Sequence, residues 1–235
     1  MRAVLYSLLA AGALLLAGCT KDNVDPPKST LTGRVIFEDQ AVGVRNNATT
    51  NAGNSATMLE LWQRGYQLFT KIPVYVAQDG TFSAVLFDGD YKLVRTRGNG
   101  PWVDNTDTIE VKVRGATTVD VPIQPYYVVR SETFQKDGNT LKASCLASRI
   151  TATAAGRAVT LDRVVLFVGA TQFVDNNNNA GRNELTAAAV ADLTKTLSFS
   201  LALPASLKTF CYVRIGVKAT NSAEYLYTPV QKISF

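Results

Sequence analysis

From Leu31 onward, apolar side chains recur at every second residue: Ile72, Val74 and Val76; Phe82, Ala84 and Leu86; Ile109, Val111 and Val113; Val119, Val121 and Ile123. Alternation sends one set of side chains into a core and the other toward water, the pattern of antiparallel strands buried on one face. Asp79-Gly80 and Asp88-Gly89 punctuate these runs where tight turns need a positive φ or a hydrogen-bonding side chain. A second series follows Pro125-Tyr126, over 127–134, 140–152, 161–168, 196–203, 210–219 and 225–233. Within it Leu197, Phe199, Leu201 and Leu203 alternate with Ser198, Ser200 and Ala202, and Lys136-Asp137-Gly138-Asn139 predicts a hairpin turn. The fold class is all-β, two tandem β-sandwiches that meet near Pro125. Only the alanine-rich stretch 184–193 predicts a short helix.

The pattern is different before residue 30. Arg2 is followed by an apolar run from Ala3 to Leu16 and then by Leu16-Ala17-Gly18-Cys19. This end resembles a bacterial lipobox, where signal peptidase II leaves a lipid-modified cysteine at the new amino terminus. The run is shorter than the ~20 apolar residues that cross a bilayer, so a membrane span is the weaker reading. The expected organisation is a lipoprotein signal peptide over 1–18, a lipidated tether over 19–29, a first sandwich over 30–125 and a second over 126–235. The tether contains Pro26-Pro27 and is too polar to build a core. Extended, it would hold the first sandwich up to roughly 35 Å from the headgroups. Two polar segments interrupt the strands, 39–56 and 175–183, and the first is expected to be disordered.

Charge removes several function classes. Twenty-four Lys and Arg stand against 19 Asp and Glu, a formal +5, but they are scattered rather than clustered, which excludes a nucleic-acid groove and a polybasic membrane patch. The chain has no histidine, and with it go the usual general base, the Ser-His-Asp and Cys-His arrangements and the commonest metal ligand. Glycoside hydrolysis would need two carboxylates facing each other across a cleft, and spacing singles out no such pair. The sequence therefore reads as non-catalytic, with no cofactor. Asp175 followed by Asn176 to Asn179 invites a calcium reading, but Ala180 and Thr186 stand where an EF-hand loop needs glycine and glutamate. A polar turn is expected there, with no metal.

Carbohydrate recognition without catalysis needs flat apolar rings surrounded by amides and charges. Trp62, Tyr66 and Phe69 cluster near one strand end, and Trp102 lies among glycines and a proline that predict an exposed loop. Arg64, Arg97, Asn99, Asp104 and Asn105 could form the polar ring. The competing reading places Trp62 and Tyr66 in the core, where large aromatics usually pack. Cys145 and Cys211 both fall on inward-facing positions of the second sandwich, where they form either an inter-sheet disulfide or two buried thiols.

Leu31-Thr32-Gly33-Arg34-Val35, with Asp79-Gly80-Thr81-Phe82 and Gly89-Asp90-Tyr91-Lys92-Leu93, resembles a transthyretin-like, carboxypeptidase-regulatory-like sandwich. The stretch from Tyr212 to Ala219 resembles a late strand of an immunoglobulin-like or fibronectin-type domain. Together with the lipobox, Leu61-Trp62-Gln63-Arg64-Gly65 and Gly100-Pro101-Trp102, these features resemble an uncharacterised family of Bacteroidetes lipoproteins. That resemblance implies genes beside SusC-like transporters and SusD-like glycan-binding lipoproteins. It implies an outer-membrane lipoprotein, exposed on the surface and anchored through Cys19, serving as a binding or scaffolding accessory in uptake of a polysaccharide. The alternative is a fimbrial or adhesin subunit that polymerises by strand exchange. No functional residue carries over from the family.

Overall fold

Alternation sorts the first long strand, β1 (Ser29–Phe37), into two faces: Leu31 and Val35 are fully buried, while Thr32 and Arg34 face solvent. The computed structural model describes residues 25–45, 57–65, 70–220 and 222–235. The expected signal peptide, Cys19, most of the tether, residues 46–56 of the first polar segment, Tyr66 and Phe69 lie outside the described residues.

The first sandwich continues through β2 (Gln40–Ala41), β3 (Leu59–Gln63), β4 (Lys71–Val74), β5 (Thr81–Leu86), β6 (Gly89–Arg95), β7 (Thr108–Val113) and β8 (Ala116–Pro122). In one sheet β1 lies between antiparallel β5 and parallel β8, and β2 folds back on its end. The other sheet runs β4-β3-β6-β7, antiparallel throughout. Leu59, Leu61, Tyr91, Leu93 and Val113 of the second sheet meet Leu31, Val35, Phe82 and Val121 of the first in one core. At Gly33 the two neighbouring strands come too close for any side chain. A Cβ there would stand 1.8 Å from the Val119 carbonyl oxygen and 2.5 Å from the Phe82 ring.

The second sandwich is built from β9 (Tyr127–Asp137), β10 (Thr140–Arg149), β11 (Thr153–Ala154), β12 (Arg157–Ala158), β13 (Leu161–Gly169), β14 (Gly181–Thr186), β15 (Leu197–Ala202), β16 (Phe210–Ala219), β17 (Leu226–Tyr227) and β18 (Gln231–Ser234). Its sheets are β15-β10-β9 and β14-β13-β16, with β17 and β18 both on β16. The hairpin turn at Asp137-Gly138 forms as its residues predict, with Gly138 at φ 56°. No helix occurs among the described residues, and the helix expected over 184–193 is corrected. Glu184, Leu185 and Thr186 instead pair with Val165, Val164 and Arg163 of β13, and beyond them the chain makes a single turn in which the Ala189 and Val190 amides donate to the Thr186 carbonyl. Sheet pairing there overrides the modest helix preference of alanine.

The two sandwiches share one continuous core cluster. Across the junction Arg214 of β16 is 1% exposed, and its guanidinium donates to the carbonyls of Val44 at 3.2 Å, Gln78 at 3.3 Å and Thr228 at 3.1 Å. The same group lies 4.2 Å from the centre of the Tyr227 ring. Burial pushes its pKa down to about 10, which still leaves it charged at neutral pH. Beside it Arg45 and Glu224 form a two-pronged ion pair at 3.1 and 2.6 Å.

Candidate functional site

Register places the site. Leu59 and Leu61 of β3 point into the core, so Glu60 and Trp62 must point out. Trp62 lies directly opposite Lys71 of β4 on one side and Lys92 of β6 on the other, and Lys92 in turn lies opposite Glu110 of β7. Arg64, two residues beyond Trp62, continues the same face. The half-buried indole is thus the one tryptophan on a solvent-facing sheet, and it borders a shallow groove of about 460 Å³ with Glu60, Val94, Arg97, Asn105 and Asp107. Glu60 accepts a hydrogen bond from Lys71 Nζ at 2.9 Å. Glu110 Oε1 is shared by Lys92 at 3.4 Å and Arg64 at 3.7 Å. At the groove end Arg95 donates to Asn105 Oδ1 at 3.0 Å and to the Pro122 carbonyl at 2.6 Å, fixing the 103–107 segment to the sheet. Burial lowers the pKa of Arg95, with Asp107 acting in the opposite sense.

Of the expected sugar-binding residues, Trp62, Arg64, Arg97 and Asn105 share this face or its rim. Trp102 does not, and its reading as an exposed platform is corrected. It is 1% exposed, at the sandwich junction, bridged to Pro125 and packed so tightly on Gly100 that a Cβ there would meet its ring at 2.1 Å. The glycines around it make room for the ring rather than expose it. Asn99 is also occupied, its side-chain amide donating to the Thr57 carbonyl at 3.0 Å, while Asp104 is exposed but accepts from the Gly98 amide at 2.8 Å. Both hold the 96–104 turn together. Sequence reasoning missed Lys71 and Lys92, since only strand register brings them beside Trp62.

Cys145 and Cys211 are fully buried free thiols, so the inter-sheet disulfide reading is corrected. Burial raises Cys145 to about 12, with help from the Glu132 charge, and burial raises Cys211 to about 11. The Asp175 loop is a polar turn closed on itself. Asp175 Oδ1 accepts from the Asn177 and Asn178 amides at 2.7 and 2.9 Å, and Asn176 N–H donates to the Tyr227 hydroxyl at 3.2 Å. Among the described residues no group of three acidic or cysteine side chains is arranged as a metal site.

Fold and site together define a two-domain, all-β protein with an open aromatic groove on the flank of its first sandwich. Residues 29–124 match the model described as "Protein of unknown function (DUF3823) N-terminal domain" and residues 127–232 match "Domain of unknown function (DUF3823_C)". The chain belongs to the DUF3823 family. A DUF3823 family protein from Bacteroides ovatus is 35% identical, with 88% of this chain and 99% of that one covered and a TM-score of 0.77. One from Parabacteroides merdae is 33% identical, with 89% and 100% covered and a TM-score of 0.76. A Bacteroides uniformis structure described as "a putative carbohydrate binding protein" is 21% identical, with 89% and 100% covered and a TM-score of 0.68, a likeness of fold. No curated protein matches the chain.

Proposed function

We propose that this chain is a non-catalytic glycan-binding lipoprotein of the outer cell envelope, an accessory to a SusC/SusD-like uptake system, and that sugar docks on the Trp62 groove. The observation that carries the reading is the register of β3, which sets an indole on an exposed sheet face between two lysines. A pyranose ring has a face of C–H groups that stacks on an indole and a rim of hydroxyls that needs hydrogen bonds. Trp62 offers the first, and Arg97, Asn105 and Asp107 offer the second. The description of the Bacteroides uniformis relative supports the same class of ligand. The Glu60 carboxylate in the groove is held by Lys71 at 2.9 Å.

The tether enters at the pole of the first sandwich away from the second. There the Ser29 hydroxyl bonds Asp88 and accepts from the Gly115 amide, whereas the far end of β1 reaches the junction through Glu38 and Arg130. Nine residues of strand separate these ends by about 30 Å. An acylated Cys19 would therefore hold the first sandwich next to the membrane, with the second beyond it. β1, the first strand after the tether, is paired along both edges within its own sheet.

Affinity electrophoresis through a broad panel of polysaccharides tests the proposal. Wild type is expected to be retarded by at least one polymer, and Trp62→Ala to lose about 30-fold or more in affinity while remaining folded. Equal retardation of both proteins would remove the groove from the account.

A further inference from the structure

Around Trp62 cations outnumber carboxylates: Lys71, Lys92, Arg64, Arg95 and Arg97 stand against Glu60, Glu110 and Asp107. Lys71 and Lys92 flank it across the sheet, their backbones about 10 Å apart by strand spacing. Arg64 extends the same face, and Arg97 stands exposed at the groove rim. Asn105 accepts from Arg95 through its carbonyl oxygen, which turns its two amide N–H groups to new partners. Two of the three carboxylates are already engaged by cations. Glu60 is only 10% exposed at its side chain and is taken by Lys71. One oxygen of Glu110 serves both Lys92 and Arg64 at 3.4 and 3.7 Å, longer than the ~2.7–2.9 Å of a well-made charge-assisted bond. Arg97 enters no ion pair among the described residues.

A neutral sugar hydroxyl both donates and accepts, and it is best met by a rim of mixed character. A rim in which cations exceed carboxylates around an indole favours a ring whose edge carries an anion. We infer that the Trp62 groove selects acidic polysaccharides, whose pyranose rings stack on the indole while carboxylate or sulfate groups reach Lys71, Lys92, Arg64 or Arg97. This inference rests on the glycan reading of the groove. An incoming anion would replace the shared contact at Glu110, a weak exposed pair that costs little to open.

The test is equilibrium titration with polygalacturonate, with the same polymer fully methyl-esterified, and with chondroitin sulfate and its desulfated form, each at low and high salt. Polygalacturonate is expected to bind about tenfold more tightly than its ester, and less tightly as salt rises. Lys92→Gln and Arg64→Gln should each weaken it roughly three- to fivefold with unchanged thermal melting, and Trp62→Ala should abolish it. Binding of chondroitin sulfate that is lost on its desulfation would assign the anion as sulfate, and binding of polygalacturonate over its ester would assign it as carboxylate. Equal affinity for acid and ester together with no preference for chondroitin sulfate over its desulfated form, or binding only of neutral glycans through Trp62, would overturn the inference and leave the glycan reading standing. Polygalacturonate binding that is indifferent to Trp62→Ala would mark unspecific polyanion attraction and overturn it as well. No binding by any polymer, neutral or acidic, would overturn both.

Discussion

The two tryptophans of the chain have opposite tasks, and their environments predict opposite phenotypes. Trp102 is wholly buried at the junction, so Trp102→Ala should cost about 3–5 kcal/mol in urea unfolding. Trp62 borders solvent, and Trp62→Ala should cost no more than about 1 kcal/mol. Acrylamide should accordingly quench Trp62 and spare Trp102. The sequence marked both residues as notable but reversed the weight it gave them. Gly98, Gly100 and Pro101 read as loop chemistry, and nothing local shows that Gly100 is small in order to seat an indole. The two remaining cysteines illustrate a second limit: alternation put both thiols inside, but not whether their sulfurs meet. As free buried thiols they should resist alkylation in the native protein, and both should react on unfolding without reductant. Their folded pKa values, about 12 and about 11, lie above the 9.0 of an exposed thiol, so the folded state holds these protons longer. Their contribution to stability is complete below about pH 9 and is lost as pH rises through 11–12, which denaturant titrations across that range would show as a falling midpoint.

Single strands show how far pattern reading reaches. β1, β5, β7 and β15 were visible in the sequence because each buries one face only, and period-two alternation is then the whole signal. β16 is less regular. Residues 213–217 are buried on both faces, and the positive charge of Arg214 among them has meaning only once the carbonyls of Val44 and Gln78 have come from the other sandwich. The alanines after β14 failed as a helix because the strand before them had a stronger claim through pairing with β13. Gly33 offers the element-level test. The parallel pairing of β1 with β8 and the Phe82 ring leave no volume for a methyl group, so Gly33→Ala should lower stability by about 1–3 kcal/mol in chemical denaturation. A neutral effect would mean that β8 does not pack as described.

At the scale of the molecule, the junction makes one body of two sandwiches. Arg214, the Arg45–Glu224 pair, Trp102 and a shared apolar core cross it. Calorimetry should therefore show one cooperative transition. Arg214→Ala, which strips partners from the Val44, Gln78 and Thr228 carbonyls, should lower it or split it in two. Were the amino terminus anchored as proposed, a rigid pair of sandwiches would fix the direction in which the Trp62 groove faces. The most direct test compares wild type with Trp62→Ala across a wide glycan panel. Wild type should bind at least one polymer that Trp62→Ala releases while still unfolding within about 1 kcal/mol of the wild type. A variant that binds as well as the wild type, or a wild type that binds no glycan at all, would contradict the proposed function.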